Sequence, residues 1–181
     1  MKTLVVNLFG APGSGKSTGA AYIFAMLKMM GINAEIATEF AKEKVWEENQ
    51  CPFKSQPYIF GKQNYRLIRL SGKVDVIITD SPILLSAYYS KDDPSSFRWF
   101  VEDAFDEYNN LNYFIKRDKP YNPKGRFQTE EESNQVSEDM QKFLDDCRIK
   151  YTTLKGNRAG YDWIVDEIME TLKNEDNSKP E

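Results

Sequence analysis

A glycine-rich segment near the amino terminus contains the residues best suited to chemistry. It matches the pattern G-x-x-x-x-G-K-[S/T] and consists of Gly10, Ala11, Pro12, Gly13, Ser14, Gly15, Lys16, Ser17 and Thr18. An apolar strand-like run precedes it and a helical pattern follows, which is the context in which this pattern binds phosphate. Glycines let main-chain N–H groups curl around an anion, and the start of the helix directs its positive dipole end at the same place. We therefore predict that this segment, the P-loop, binds the phosphates of ATP.

Two P-loop side chains and one distant carboxylate predict a magnesium site beside these phosphates. Lys16 would place a mobile positive charge on the β- and γ-phosphates, and the Ser17 hydroxyl is a suitable Mg²⁺ ligand. Asp80 ends an apolar run at residues 74–79, and ligands collect at the carboxyl ends of parallel strands. Taken alone, Asp80 could equally cap the turn through Ser81 and Pro82. Beside a P-loop, it predicts a metal ligand, either direct or through water.

The residues after the third and fourth strand-like runs favour transfer to a bound acceptor over hydrolysis. Motor ATPases usually place a glutamate after the metal-binding aspartate to orient water, but here Ser81 follows Asp80. A Ras-type GTPase would carry Asn-Lys-x-Asp after the fourth strand, whereas residues 115–118 read Ile-Lys-Arg-Asp. We expect a neighbouring molecule, and not solvent, to receive the γ-phosphoryl group.

Residues 117–132 form an irregular insert with two prolines, one glycine and four basic residues, which predicts a mobile lid over the phosphates. Arg117 and Arg126 are better candidates for the transferring group than Lys119 or Lys124, because a planar guanidinium matches phosphate oxygens. The alternative is a solvated loop whose charges are balanced by the glutamates at 130–132.

Glu39, after the second strand-like run, is the candidate that would take a proton from an acceptor hydroxyl or bind a sugar. It could equally be a first-turn glutamate favoured by the helix dipole. An acceptor that is already a phosphate would instead need arginines, and Arg66 and Arg69 are then candidates unless they form a solvated helix face. Phe40 and Tyr58 are candidates to contact the acceptor. Aromatic residues cluster around the Glu39 segment and could stack the acceptor's base, although such clusters more often serve packing; they are Trp46, Phe53, Tyr58 and Phe60.

The last strand-like run ends in a glycine turn that contains Asn157 and Arg158. This turn would lie beside the bound nucleotide, and we predict that it contacts the adenine. A plain turn explains the pattern nearly as well.

Composition limits the other classes of function. The chain has 181 residues, a formal net charge of −4, no histidine and two distant cysteines. These features exclude histidine bases, serine–histidine triads and histidine-ligated zinc, and they disfavour binding to a nucleic-acid backbone. No apolar run is long enough to span a bilayer, so we expect a cytoplasmic protein without membrane contact.

Apolar runs at residues 3–9, 33–37, 74–79, 112–116 and 150–154 alternate with helical patterns at 16–30, 56–70, 95–108, 133–147 and 161–172. This alternation predicts an α/β fold, a three-layer sandwich around a five-stranded parallel sheet. We expect one domain over residues 1–181, with a disordered tail at about 174–181.

Four segments of the chain together resemble the nucleoside and nucleotide kinase branch of P-loop proteins. They are the P-loop, Glu39-Phe40-Ala41, Thr79-Asp80-Ser81-Pro82 and the 117–126 insert. They are similar in particular to small AAA-type kinases akin to the ribosylnicotinamide kinase domain of NadR, many of them phage-encoded. This resemblance implies a sheet ordered 2-3-1-4-5, ATP and Mg²⁺ as cofactors, a lid over the donor, and an acceptor site near Glu39. The resemblance also places Glu39 roughly where deoxynucleoside kinases carry their base, although these enzymes have Glu-Arg-Ser after strand three, where this chain has Asp80-Ser81-Pro82.

The resulting hypothesis is an ATP- and Mg²⁺-dependent kinase for a nucleoside, nucleotide or related metabolite, acting as a monomer or homodimer. Lys16, Asp80, Glu39, Arg117 and Arg126 are the predicted catalytic residues. The alternatives are a kinase for a modified base in DNA and a regulatory ATPase.

Overall fold

The chain folds around one parallel sheet with helices on both sides. The structure, a computed structural model, describes residues 2–49, 51–90, 93–121 and 129–177. The strands are β1 (Leu4–Phe9), β2 (Ala34–Ala37), β3 (Val76–Thr79), β4 (Asn109–Lys116) and β5 (Thr152–Lys155). Their order is β2-β3-β1-β4-β5, and every adjacent pair is parallel. The predicted three-layer sandwich and its strand order are confirmed.

Helices connect the strands and cover both faces of the sheet. They are α1 (Lys16–Met29), α2 (Phe40–Trp46), α3 (Gln56–Ile68), α4 (Leu85–Tyr89), α5 (Ser95–Asp106), α6 (Glu130–Asp146) and α7 (Arg158–Asn177), with a 3₁₀ turn at Cys51–Lys54. None of the helices in the described ranges is both long enough and apolar enough to cross a lipid bilayer.

The central strand β1 is buried along its whole length, because its alternate side chains enter two different cores. Leu4, Val6 and Leu8 pack with residues of α1 and α7. Val5 and Phe9 pack with residues of α3, α5 and α6. A strand that is apolar on both faces is typical of a parallel sheet covered by helices on both sides, and the apolar run at residues 3–9 has this pattern.

The irregular insert is shorter than its composition indicates. α6 begins at Glu130, three residues before the predicted start. Thr129 and Glu132 form a capping box, in which each side chain accepts a hydrogen bond from the other residue's N–H. The three glutamates assigned to the insert therefore form the first turn of α6, where the helix dipole favours negative charge. Residues 122–128, which include Lys124 and Arg126, lie outside the described residues.

The other boundaries differ by a few residues. β4 starts at Asn109, earlier than predicted, because the polar Asn109 and Asn110 still pair with β1. α7 continues to Asn177, so residues 174–177 of the predicted tail are helical, and residues 178–181 lie outside the described part of the chain.

Candidate active site

The P-loop leaves β1 and enters α1 through three glycines with positive φ. The φ angles are 139° at Gly10, 81° at Gly13 and 105° at Gly15. A Cβ on Gly10 would lie 2.5 Å from the carbonyl oxygen of Ile115, so both the conformation and the space at this position require glycine. No side chain caps the first turn of α1. A helix N-terminus that follows a glycine-rich loop and has no side-chain cap is a site where main-chain N–H groups bind anions.

Two residues that the sequence analysis missed donate hydrogen bonds to carbonyl oxygens of the P-loop. The Tyr161 hydroxyl of α7 donates a hydrogen bond to the Gly15 carbonyl oxygen at 2.9 Å. The Ser133 hydroxyl of α6, which is 1% exposed, donates to the Pro12 carbonyl oxygen at 2.8 Å. Neither residue belongs to a recognisable motif, because each reaches the loop from a helix far away in the sequence.

The Lys16 ammonium lies within the curve of the P-loop. Its Nζ donates to the carbonyl oxygens of Gly10 at 2.6 Å and Ala11 at 3.0 Å. These contacts keep the positive charge at the place where the loop gathers its N–H groups. A phosphate bound to the loop would meet this charge directly.

Asp80 lies beside the P-loop, because β1 and β3 are parallel neighbours and Asn7 pairs with Thr79. Asp80 is 7% exposed, and its Oδ1 is buried with no hydrogen-bond donor among the described residues. Ser17 lines the same cavity as Asp80. A buried carboxylate oxygen without a donor, next to a hydroxyl, fits a magnesium ion.

The two candidate ligands, Ser17 and Asp80, both offer oxygen atoms. Mg²⁺ usually binds through one or two protein oxygens and completes its shell with phosphate oxygens and water. Ser17 and Asp80 are the residues that would hold it here.

Glu39 is positioned by two residues of α3. The Gln63 amide, 3% exposed, accepts from the Phe40 N–H at 2.9 Å and donates to the Thr38 carbonyl oxygen at 3.2 Å. Arg66 donates to the same carbonyl oxygen at 2.8 Å. The backbone on both sides of Glu39 is therefore fixed. Gln63 carries no motif signal, so sequence reasoning missed it.

The electrostatic surroundings of Glu39 link it to the P-loop and to the metal ligand. Removal from water raises the pKa of the Glu39 carboxyl above its ordinary value, Lys16 lowers this pKa to a smaller extent, and Asp80 raises it. A carboxylate that is partly desolvated is a stronger base than one in water. The charges of both Lys16 and Asp80 therefore act on this carboxyl.

Ser17, Asp80 and Glu39 line one cavity of about 380 Å³, the Glu39 cavity. Residues of α1 and β2 line one part of this cavity, and residues on one face of α2 line another. The remaining lining residues are Ala20, Ala21, Ile36, Thr38, Lys42, Glu43 and Trp46. Glu39, Lys42, Glu43 and Trp46 share this face because they are three, four and seven positions apart.

The other residues predicted for the acceptor lie outside the Glu39 cavity, Phe40 on α2 and the rest on or just after α3. Phe40 is buried and packs edge-on against Tyr58, with ring centroids 5.7 Å apart. Arg66 forms a 2.6 Å ion pair with Glu43 and places its guanidinium 5.7 Å from the Phe40 ring. Arg69, the residue after α3, is exposed. None of these four residues lines the Glu39 cavity.

Arg117 lies at the end of β4, on the side of the P-loop that faces α6. It donates to the Asn134 side chain and forms an ion pair with Glu130 at 3.1 Å, and its guanidinium lies 5.1 Å from the Tyr121 ring. It lines a second cavity of about 190 Å³ together with P-loop residues, including Ser14. Of the two predicted lid arginines, Arg117 is therefore placed near the loop, and Arg126 lies outside the described residues.

Asn157 joins the turns that follow β4 and β5. Its amide donates to Asp118 at 2.8 Å and its oxygen accepts from the Gly160 N–H at 3.0 Å. The Asn157 hydrogen bond, followed by that of Lys155, lowers the pKa of the Asp118 carboxyl. Arg158 is exposed and pairs with Asp162 at 3.6 Å. These turns lie against the P-loop, since a Cβ on Gly156 would overlap the Ser14 carbonyl oxygen.

Comparison with known proteins is consistent with this arrangement. The profile of the family described as AAA domain matches residues 5–160. The chain belongs to this AAA domain family. None of the curated proteins matches it. Its resemblance to P-loop nucleotide kinases is confirmed, whereas the finer resemblance to NadR and the phage origin stay predictions.

Solved structures with the same fold include two thymidylate kinases. The enzyme from Ehrlichia chaffeensis is 12% identical, with a TM-score of 0.60, and the match covers 95% of this AAA domain chain and 100% of the other. The enzyme from Candida albicans is 14% identical, with a TM-score of 0.55, and covers 98% and 94%. At these identities the similarity shows the fold alone.

Proposed function

We propose that this protein transfers the γ-phosphoryl group of ATP, with Mg²⁺, to a small acceptor of the nucleoside or nucleotide type. The observation that carries the proposal is the Glu39 cavity, in which Ser17, Asp80 and Glu39 meet beside the P-loop. In this proposal, the residues for a metal, a donor phosphate and an acceptor are neighbours in one cavity. Such positioning is most of what catalysis of phosphoryl transfer requires.

Each residue has a role that follows from its position. The P-loop N–H groups and Lys16 would bind and neutralise the β- and γ-phosphates. Ser17 and Asp80 would hold the metal, whose charge offsets the negative charge of the phosphates. A lid arginine, Arg117 or Arg126, would approach the transferring group, and Glu39 would orient or deprotonate the acceptor.

This proposal includes both nucleosides and nucleotides as acceptors. The two structural neighbours are named thymidylate kinases, so thymidylate belongs among the acceptors to be tested. The resemblance to the ribosylnicotinamide kinase domain adds nicotinamide riboside to the same panel.

A transfer assay tests the proposal. The protein is incubated with γ-labelled ATP, Mg²⁺ and a panel of nucleosides, nucleoside monophosphates and nicotinamide riboside, and labelled product is identified by mass. We expect a phosphorylated acceptor with wild-type protein and none with Lys16→Ala. Lys28→Ala, an exposed lysine of the same helix, serves as the matched control.

The metal is tested in the same assay. Asp80→Asn removes the charge but keeps the size of the side chain, so transfer should fall steeply and require far more Mg²⁺. Steady ATP hydrolysis that needs no acceptor and is stimulated by a protein would instead indicate the regulatory ATPase. Transfer by Lys16→Ala at the wild-type rate would refute the proposal.

A further inference from the structure

We propose that the second cavity, the Arg117 cavity, binds a phosphate group while the P-loop binds a nucleotide. This cavity of about 190 Å³ lies between the P-loop, the end of β4 and the first turns of α6. The inference goes beyond the proposed function, because it concerns an anion other than the phosphates of the nucleotide. It follows from two buried donors without acceptors, from the charge of the cavity and from its position in the sheet.

Two residues that line the Arg117 cavity carry buried polar atoms without a partner. Ser14 is 3% exposed, and its Oγ has no hydrogen-bond partner among the described residues. The Nη1 atom of Arg117 is likewise buried and has no acceptor there. Buried polar groups are nearly always hydrogen-bonded, and a group that is not bonded indicates an ion or water that completes the site. The oxygen atoms of a phosphate would accept from both donors.

The other contacts of Arg117 fix its guanidinium and leave Nη1 available. Nη2 donates to the side-chain oxygen of Asn134 and pairs with Glu130 at 3.1 Å. The guanidinium also lies 5.1 Å from the ring of Tyr121. Because these contacts use Nη2 and the flat face of the group, Nη1 can donate to a ligand without breaking any of them.

The charge of the Arg117 cavity favours an anion. Its described lining includes the cations of Lys116 and Arg117 and no carboxylate. Glu130 pairs with Arg117, whereas Lys116 forms no ion pair with the described residues. One positive charge therefore remains uncompensated. Hydrogen bonds from charged donors to a phosphate are stronger than those between neutral groups, and Ser137 adds a hydroxyl donor beside them.

The position of the cavity separates this anion from the nucleotide. β1 pairs with β3 on one side and with β4 on the other. The expected metal ligands Ser17 and Asp80 line the Glu39 cavity on the β3 side, and the Arg117 cavity lies on the β4 side. The two cavities share no described lining residue. A γ-phosphate beside the metal therefore leaves the Arg117 cavity free.

The volume fits a phosphate group and not a whole nucleotide. Pockets for drug-sized ligands have volumes of about 300–1,000 Å³, which is above the 190 Å³ of the Arg117 cavity. A water molecule takes up about 30 Å³ in the liquid. The cavity can therefore hold a phosphate together with a few water molecules. The ligand is inorganic phosphate or the phosphate group of a small molecule that remains mostly outside.

A binding experiment with inorganic phosphate tests the inference. The P-loop is first saturated with Mg²⁺ and an ATP analogue whose β–γ bridge is an imido group, which resists hydrolysis. Radiolabelled phosphate is then titrated by equilibrium dialysis, and we expect it to bind to this complex. If the analogue prevents all phosphate binding, the anion occupies the P-loop and the inference is overturned.

Two variants of α6 locate the bound phosphate. Ser137→Asp places a carboxylate in the Arg117 cavity and should raise the Kd for phosphate by about tenfold or more, because like charges repel. Gln135→Glu adds the same charge at an exposed position outside the described lining, where solvent screens it, and should change this Kd by less than about twofold. Equal Kd values in Ser137→Asp and wild type would contradict the inference.

Urea unfolding gives a second, independent readout. An anion that binds only the folded protein stabilises it, so phosphate should raise the free energy of unfolding of wild type and Gln135→Glu more than that of Ser137→Asp. An equal rise in all three proteins would be the general effect of phosphate as a salt and would contradict the inference.

Neither readout needs transfer to an acceptor, so a failure of this inference leaves the proposed function intact. Failure to bind the analogue would count against the proposed function, and the comparison of Ser137→Asp with Gln135→Glu would then be made without it.

Discussion

Replacement of Gln63 by leucine tests whether α3 positions Glu39. Leucine is apolar and fits a buried site, but it leaves the buried Phe40 N–H without its acceptor. The Thr38 carbonyl oxygen keeps a donor, because Arg66 also bonds to it at 2.8 Å. One unsatisfied buried donor costs about 1–3 kcal/mol, so the free energy of unfolding should fall by about this amount.

The effect on function should be selective. Displacement of a reacting group by about 1 Å lowers turnover by roughly 100-fold, so kcat should fall in Gln63→Leu. The Kd for ATP should not change, because the P-loop has its own supports in Tyr161 and Ser133.

Urea unfolding measures the free energy of unfolding, ATP titration measures the Kd for ATP, and a steady-state assay measures kcat. Gln135→Leu is the control, since Gln135 is exposed and bonds only to Asp139 in its own helix among the hydrogen bonds described. Its stability should change by less than about 0.5 kcal/mol. Equal stability of Gln63→Leu and wild type, or a parallel loss of ATP affinity and turnover, would refute the reasoning.

Three further predictions use other contacts. Gly10→Ala should abolish ATP binding and destabilise the fold by about 1–3 kcal/mol. Gly61→Ala is the control, since there is open space around Gly61 in α3, and it should stabilise the fold by about 0.5–1 kcal/mol. Urea unfolding and ATP titration of both variants measure these effects. Tyr161→Phe should cost about 0.5–1.5 kcal/mol and weaken ATP binding, because it removes the bond to a P-loop carbonyl oxygen; equal ATP affinity in Tyr161→Phe and the exposed control Tyr65→Phe would count against this. Because burial raises the pKa of Glu39 above its ordinary 4.5, the native state holds this proton more tightly than the unfolded chain, and wild-type stability is lost relative to Glu39→Gln as pH rises above 4.5. Urea unfolding of both proteins at several pH values measures this difference, and a constant difference would contradict it.

Much of the fold was predictable because it depends on short-range patterns. The apolar runs identified all five strands, and the capping box at Thr129 and Glu132 was readable although the composition of the insert obscured it. α2 and α4 are too short to show a clear period, being seven and five residues long. Their boundaries depend on packing that no local pattern records.

The candidate site also has a part that the sequence predicted and a part that it did not. The P-loop and Asp80 were found from motif and strand position, and the structure places them together. For the acceptor, the sequence predicted Glu39, Phe40, Tyr58 and Arg66, together with an aromatic cluster that includes Trp46. Glu39 and Trp46 line the cavity, whereas Tyr58 and Arg66 of α3 pack around Phe40 outside it. Lys42 and Glu43, which were not predicted, also line the cavity, and their spacing becomes informative only when the orientation of α2 is known.

The sequence by itself determined the P-loop, because its glycines with positive φ, its lysine and the start of α1 all lie within nine consecutive residues. It also determined the parallel sheet, because a strand must be apolar on both faces to lie between two layers of helices. Only the tertiary structure decided what supports and surrounds that loop. The Tyr161 and Ser133 hydrogen bonds, the Gln63 and Arg66 contacts beside Glu39, and the face of α2 toward the cavity all join segments far apart in the chain, and such contacts exist only after the helices have packed on the sheet.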